Sequence, residues 1–485
     1  MFTKIIVRIF FIANFLTISG IAQNYNDAIR VGFPGLGPDA RALGMGNAFV
    51  AVGDNAAGTF FNPAGLALIK SSMLTAGFDF SNFNNDVSFL GNESSSKTNS
   101  TKFNQASIVL PFPTKRGSMV VGIGYNQSKD LSGILEFNGF NSGNTSWINY
   151  FSNQNSDIPY DLKLSYPLYD QNNNYIKDTT NILGSLNQSG TILNTGAINN
   201  WDFSGAIEIA KNTFIGGSFT IHTGSFESNN DYYEDDTQKY YEGITAVGEP
   251  QTEDFRTFNL KNLLQWDIGG YSGKLGMMYQ WESLMRLGLT IQFPKIYTIE
   301  ENFNVNGSSE FGTGQKYFLD TYKYSDKVKY DIQTPYEFTA GAAFNLSFVI
   351  ISGQINIIDY TQMEFKNPEG IDPAYFADRN SDIKKFLRVA YNANLGAELT
   401  LPLVPIKLRA GGIYQQSPFE ADDASFDRKY LTAGVGFNFE GVFGIDIAYA
   451  YGWWKDIADN YDVNVSRTYQ DITQQTVMLT TTFRF

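Results

Sequence analysis

The sequence predicts an all-β fold: a membrane β-barrel of about fourteen antiparallel strands, plugged by its own N-terminal segment. Three observations predict it. Segments with a two-residue period put apolar side chains on one face and small or polar ones on the other. The connections between these segments alternate strictly between tight turns and long polar stretches. Over 485 residues the composition is rich in aromatics (15%) and glycine (45 residues) but poor in charge (17%).

The chain opens with an export signal. Lys4 and Arg8 precede an apolar run, Ile9 to Ile18, and Gly20 and Ala22 supply the small residues of a cleavage site. The run falls short of the ~20 residues a spanning helix needs, and Gln23, Asn24 and Asn26 follow at once. The expected organisation is a signal peptide over 1–22, a plug over 23–70 and a barrel over 71–485. No later run reaches the ~18 apolar residues of a membrane helix.

The plug segment does not alternate like a strand. It carries Phe33-Pro34-Gly35-Leu36-Gly37-Pro38, then runs of Ala, Gly and Asn through Ala67. Small residues allow close backbone packing, as a segment folded inside a barrel requires. Gly35, Gly37 and Ala40 match a dinucleotide-binding spacing, but no strand precedes them and Pro38 interrupts.

Fourteen strands follow, near 72–83, 103–112, 118–129, 201–210, 213–228, 269–280, 284–300, 334–345, 347–364, 386–400, 404–417, 426–439, 442–454 and 470–485. In the twelfth, Leu431, Ala433, Val435, Phe437 and Phe439 share one face and Thr432, Gly434, Gly436 and Asn438 the other. Tight turns fall at Pro113 to Gly117, Lys211-Asn212, Trp281 to Ser283, Asn345 to Ser347, Leu401 to Leu403 and Glu440-Gly441. Strict alternation of short and long connections is the pattern of an outer-membrane barrel with periplasmic turns and extracellular loops. Lipid requires that barrel to be closed. Tyr and Phe near the strand ends suit interfacial girdles.

Charge and rare residues narrow the function. A formal net charge of −14 without a basic block excludes nucleic acid as a partner. With no Cys and a single His, disulfides, Cys-ligated metal and two-histidine catalysis are excluded. No metal site, cofactor or catalytic residue is expected, and the chain does not read as an enzyme. Arg286, Lys407, Arg409, Arg484, Glu337, Glu398 and Asp446 fall on the inward face; they either tune the lumen to a polar solute or pair to hold the plug. His222 reads as a strand residue facing the lumen. Asp231, Glu234, Asp235 and Asp236 lack EF-hand spacing and read as a solvated loop tip.

Ala40-Arg41-Ala42-Leu43-Gly44-Met45-Gly46-Asn47-Ala48, Gly53-Asp54-Asn55-Ala56-Ala57 and Asn62-Pro63-Ala64-Gly65-Leu66 together resemble the N-terminal hatch of the FadL/TodX family of outer-membrane transporters. The likeness extends to Lys274 to Tyr279, Met285 to Leu289, Leu408 to Tyr414 and the terminal Phe485. It implies a fourteen-stranded barrel plugged by its hatch, with Asn62, Pro63 and Ala64 as the hatch motif. It also implies passive uptake of long-chain fatty acids or other hydrophobic molecules past the lipopolysaccharide and lipid of a bacterial outer membrane. Solute would be captured in an extracellular groove, passed to a pocket inside the barrel and released sideways at a kink in the third strand. The alternative is a barrel of the same family serving as a protein partner in secretion, as PorV-like components do.

Two further sets of residues follow. Gly122 and Gly124 in the third strand are candidates for the kink, since glycine in a strand interior often marks one. Phe137, Phe140, Trp147, Phe151, Phe255, Phe258, Leu263 and Trp266 form apolar clusters in the long connections. They either line a ligand groove or pack the loops onto themselves.

Overall fold

A computed structural model describes residues 25–462 and 465–485; the export signal expected over 1–22 lies outside the described residues. The chain forms a closed antiparallel barrel of fourteen strands. These are β1 (Met73–Phe89), β2 (Asn92–Phe112), β3 (Met119–Asp130), β4 (Leu186–Ala210), β5 (Thr213–Asp235), β6 (Phe255–Trp281) and β7 (Met285–Gln292). The second half comprises β8 (Glu337–Leu346), β9 (Val349–Asp359), β10 (Val389–Thr400), β11 (Ile406–Gln415), β12 (Arg428–Phe439), β13 (Phe443–Asp459) and β14 (Arg467–Arg484). Neighbours in sequence are neighbours in the wall, and β14 closes on β1 from Met73↔Arg484 to Ser88↔Tyr469.

The pleat sorts the side chains. On β10, Val389, Tyr391 and Leu395 point outward and are exposed, while Ala390, Asn392, Asn394 and Glu398 are buried inward. Such an outward apolar band is stable only against lipid. On β5 that band runs through Ile215, Phe219 and Ile221, then turns polar at Thr223, Ser225 and Glu227. The bilayer ends there. The chain is a membrane β-barrel that crosses with strands: among the described residues no helix is long and apolar enough to do so.

Beyond the bilayer the strands continue. The stretch between 83 and 103, expected as a loop, is a tall hairpin paired as far as Phe89↔Asn92 and closed by Leu90-Gly91 at φ of 50° and 81°. Its outer side meets water and its inner side packs on other protein, Val87 and Phe89 being buried there, so the lipid-facing apolar run is lost while the ladder persists. Segments Gly133–Asn141, Ile296–Phe311 and Ser325–Gln333 build the same extracellular tier.

Inside the barrel the N-terminal segment forms α1 (Tyr25–Gly32), α2 (Ala40–Gly44), α3 (Gly58–Phe61) and a 3₁₀ helix (Pro63–Leu68). Asp39 caps α2, accepting from the Ala42 amide at 2.9 Å. Leu43, Phe49 and Leu66 are fully buried. The connections outside carry α4 (Trp147–Asn153), α5 (Asp157–Asp161) and α6 (Pro373–Phe386).

Candidate functional site

The plug touches the wall through the residues the sequence singled out. Asn62 caps the 3₁₀ helix, its Oδ1 accepting from the Ala64 amide at 3.1 Å. Its Nδ2 donates to the carbonyls of Val50 at 2.8 Å and, on β6, of Met277 at 3.3 Å. Pro63 occupies the first helical position, where a missing N–H costs nothing. Opposite stand two glycines on adjacent strands. A Cβ at Gly276 would lie 2.0 Å from Asn62 Oδ1, and one at Gly216 would lie 2.5 Å from the Ala64 nitrogen. The motif thus docks plug backbone directly onto wall backbone.

Charges lock the plug lower down. Glu398, wholly buried on β10, accepts from Arg41 Nε at 2.7 Å, Arg409 Nε at 2.8 Å and Lys407 Nζ at 2.9 Å. Arg41 also pairs with Asp54 at 2.6 Å, and Asp54 with Arg286 on β7 at 3.1 Å. Arg409 reaches Asp446 on β13 at 2.7 Å. Plug and wall therefore share one ionic network. It spans β7, β10, β11 and β13.

Above the lock lies a chamber of about 160 Å³, enclosed by the plug and by wall from β3 round to β11. Its charged lining is three lysines, Lys129, Lys274 and Lys295, and two carboxylates, Asp202 and Glu337. Lys295 pairs with Glu337 at 2.8 Å. Asp202 accepts from Asn126 at 2.5 Å and Thr220 at 2.6 Å. His222 faces the same chamber, held between Asn200 at 2.8 Å and Ser272 at 2.9 Å. The apolar path implied by the resemblance meets a polar room here.

Beside the chamber the wall parts. β2 and β3 are laddered from Phe112↔Met119 only as far as Gln105↔Asn126. Above that point β2 pairs with β1 alone, and β3 shifts register against β4 between Gln127 and Lys129. Such a shift is a β-bulge, which bends its strand. Gly122 and Gly124 sit in unbroken ladders on both sides. Their lack of side chains serves the plug instead, since a Cβ at Gly122 would come within 3.1 Å of Thr59 Cγ2. Side chains span the parting: Asp130 accepts from Lys102 at 2.5 Å and from Ser100 at 2.8 Å. The plug strap Pro34 to Pro38 runs past it and divides the chamber from a second cavity of about 70 Å³.

The extracellular tier is filled by its own side chains. Phe137, Trp147, Phe255 and Phe258 are buried together in one hydrophobic core, and Phe151 packs against it. Trp147 stacks near Phe258, ring centroids 4.9 Å apart. Trp266 belongs to a separate cluster with Phe226 above the plug helix α1. Phe140 and Leu263 are half-buried. These eight residues do not line one open groove; most pack loop onto strand, because the inward faces of the tall strands meet α4 and α5. Glu234, expected at a solvated tip, is buried in this core. It accepts from the Trp147 and Ile148 amides at 2.6 and 3.3 Å, Gln188 at 2.9 Å and Tyr232 at 2.9 Å. Burial pushes its carboxyl up to about 7.

No family model matches the chain, and no curated protein matches it. Solved structures do. A Pseudomonas aeruginosa FadL homologue superposes with a TM-score of 0.60 over 94% of this chain and 100% of its own, at 11% identity. The P. putida toluene transporter TodX gives 0.54 over 93% and 99%, at 14% identity. The CymD monoaromatic hydrocarbon channel gives 0.51 over 93% and 98%, at 15% identity. The fold is that of the FadL and TodX channels. At such identities the likeness is one of fold, so the chemistry of this FadL-type lumen is read from its own residues. The lining lysines and Asp202 escaped sequence reasoning, although the period of two held the signal: Trp201, Phe203 and Leu275 point outward, so Asp202 and Lys274 must point in.

Proposed function

We propose that the protein is a passive outer-membrane channel for hydrophobic molecules, long-chain fatty acids or aromatic hydrocarbons among them, with sideways release through the wall. It is a channel, not an enzyme. The observation that carries the reading is the parting between β2 and β3 beside a lumen whose lower end is locked by the Glu398 network. A solute held above the plug meets a latched floor and a side wall fastened there by side chains rather than by a backbone ladder. The structural neighbours support it: a FadL homologue, a toluene transporter and a hydrocarbon channel. Proteoliposomes carrying the barrel should take up a fluorescent fatty acid faster than those carrying an unrelated closed barrel. Equal rates would refute the reading.

One observation favours a second reading, a protein partner in secretion. The extracellular aromatics form a closed core rather than an open groove. Native mass spectrometry after mild-detergent purification separates the two. A stoichiometric protein with an empty lumen supports the second, and a stoichiometric small molecule the first.

A further inference from the structure

We propose that the outer wall at β3 to β6 holds an anionic phospholipid of the periplasmic leaflet. Lys115, Arg116 and Lys211 receive its phosphate, and one acyl chain lies in a hollow over Gly205 and Gly217. The site is on the lipid side of the wall, so it stands apart from whatever passes through the lumen.

The two glycines point outward and are direct cross-strand partners on β4 and β5, flanked in the same row by Val121 and Leu275. Glycine inside a strand weakens it, and marks a bulge, a bend or a close approach by a ligand or another backbone. The ladders through this row are unbroken, which leaves the close approach. Nothing in the fold forbids a side chain there. A Cβ at Gly205 would meet no atom within 4 Å, and one at Gly217 would make ordinary contact with Leu275 at 3.4 Å. Gly216 and Gly276 admit the plug on the inner face; this pair leaves room on the outer one. The room is a hollow of about 480 Å³ walled by Met119, Val121, Ile207, Ile215 and Leu275, a size within the ~300–1,000 Å³ of ligand sites. In the lipid-facing band its occupant is an acyl chain.

Charge selects the lipid. The two turns beneath the hollow, Pro113 to Gly117 and Lys211-Asn212, touch one another: the Glu208 amide donates to the Ser118 carbonyl at 3.0 Å, and a Cβ at Gly117 would lie 3.1 Å from the Glu208 carbonyl oxygen. Lys115, Arg116 and Lys211 are exposed there and form no salt bridge among the described residues. The nearby carboxylate of Glu208 is turned into its own turn, accepting from the Asn212 amide at 2.9 Å. The four turns further round, Trp281 to Leu284, Asn345 to Phe348, Leu401 to Pro405 and Glu440 to Val442, carry no Lys or Arg. In a chain of net charge −14 these cations gather under the hollow. Gly205 to Lys211 spans about 20 Å of strand, or about 15 Å along the bilayer normal at the usual tilt. That is about the depth of one leaflet's chains, so one lipid reaches both.

The test releases the barrel into a native mass spectrometer from nanodiscs made of equal amounts of phosphatidylglycerol and phosphatidylcholine with identical chains. One phosphatidylglycerol should stay bound, favoured at least about tenfold over phosphatidylcholine. Lys115→Gln, Arg116→Gln and Lys211→Gln together should bring that ratio to about one, whereas Lys115→Arg with Lys211→Arg should keep it. Gly205→Leu, for which the fold has room, should lower retention of both lipids severalfold. Folding is checked by heat-modifiable migration; if the triple variant fails it, Lys211→Gln alone replaces it, with the ratio falling about fivefold. Glycerol phosphate, a head group without chains, should displace nothing. A native ratio near one, or a ratio unmoved in the folded charge variant, overturns the head-group site. Unchanged retention in Gly205→Leu overturns the hollow. Displacement by glycerol phosphate makes it a free-phosphate site, and a dimer that Gly205→Leu abolishes puts a second copy in the lipid's place; either result overturns the proposal.

Discussion

Glu398 is where the plug is most exposed to a single change. The carboxylate is inaccessible to solvent and faces three cations, Arg41 from the plug and Lys407 and Arg409 from β11. Replacing it by alanine leaves buried guanidinium groups without their main counter-charge. Breaking a buried ion pair from one side costs about 3–5 kcal/mol. At ~1.4 kcal/mol per tenfold, that shifts the balance between seated and displaced plug by about two to four orders of magnitude. The wall ladders do not depend on Glu398, so Glu398→Ala should keep its heat-modifiable barrel migration. In planar bilayers it should show intermittent ion-conducting openings that the native barrel lacks. Lys407→Met, which removes the most solvent-exposed of the three cations, should cost less than about 1 kcal/mol and stay closed. A Glu398→Ala barrel as silent as the native one would refute the idea that this network latches the plug.

Three further outcomes are expected. Gly276→Val should push Asn62 off the wall, because even a Cβ there falls 2.0 Å from Asn62 Oδ1; the check is faster proteolysis at the plug with strands intact. Asp130→Ala should raise uptake by loosening the parting that Lys102 and Ser100 now hold, and an unchanged rate would count against that role. The carboxyl of Glu234, pushed up from 4.5 to about 7 by burial, binds more protons folded than unfolded. The extracellular core should therefore weaken as pH rises from about 4.5 to 7, by up to about 3 kcal/mol. Proteolytic nicking of the 142–185 connection should increase across that window in the native barrel and stay flat in Glu234→Gln.

The bilayer explains what was legible. Within it each strand has one face in lipid and one in the lumen, so period-two alternation located all fourteen strands, and turn parity set their order. Above it both faces meet water or other protein, and the signal fails. Asn92 to Lys102 is all polar or small and reads as loop, yet it pairs continuously with β1. Glu234 reads as solvated because its burial depends on α4 folding over it from nearly ninety residues earlier in the chain. Glycine misled for a related reason. Gly122 and Gly124 accommodate the plug, whereas the register shift comes near Ser128, which carries no glycine or proline signal. Asn62-Pro63-Ala64 was legible as a motif, but its partners Gly216 and Gly276 lie more than 150 residues away. The chamber was hidden longest, since its lining is drawn from nine strands and the plug.

The central claim is release through the side wall, and it is tested most directly by closing that wall. The chain has no cysteine, so Ser100→Cys with Asp130→Cys introduces the only thiols, at side chains that meet across the parting at 2.8 Å. Uptake of a fluorescent fatty acid into proteoliposomes is measured before and after a short, reducible thiol cross-linker is applied. Lateral release predicts that cross-linking abolishes uptake and that reduction restores it. Uptake that continues unchanged through a cross-linked wall would contradict the account.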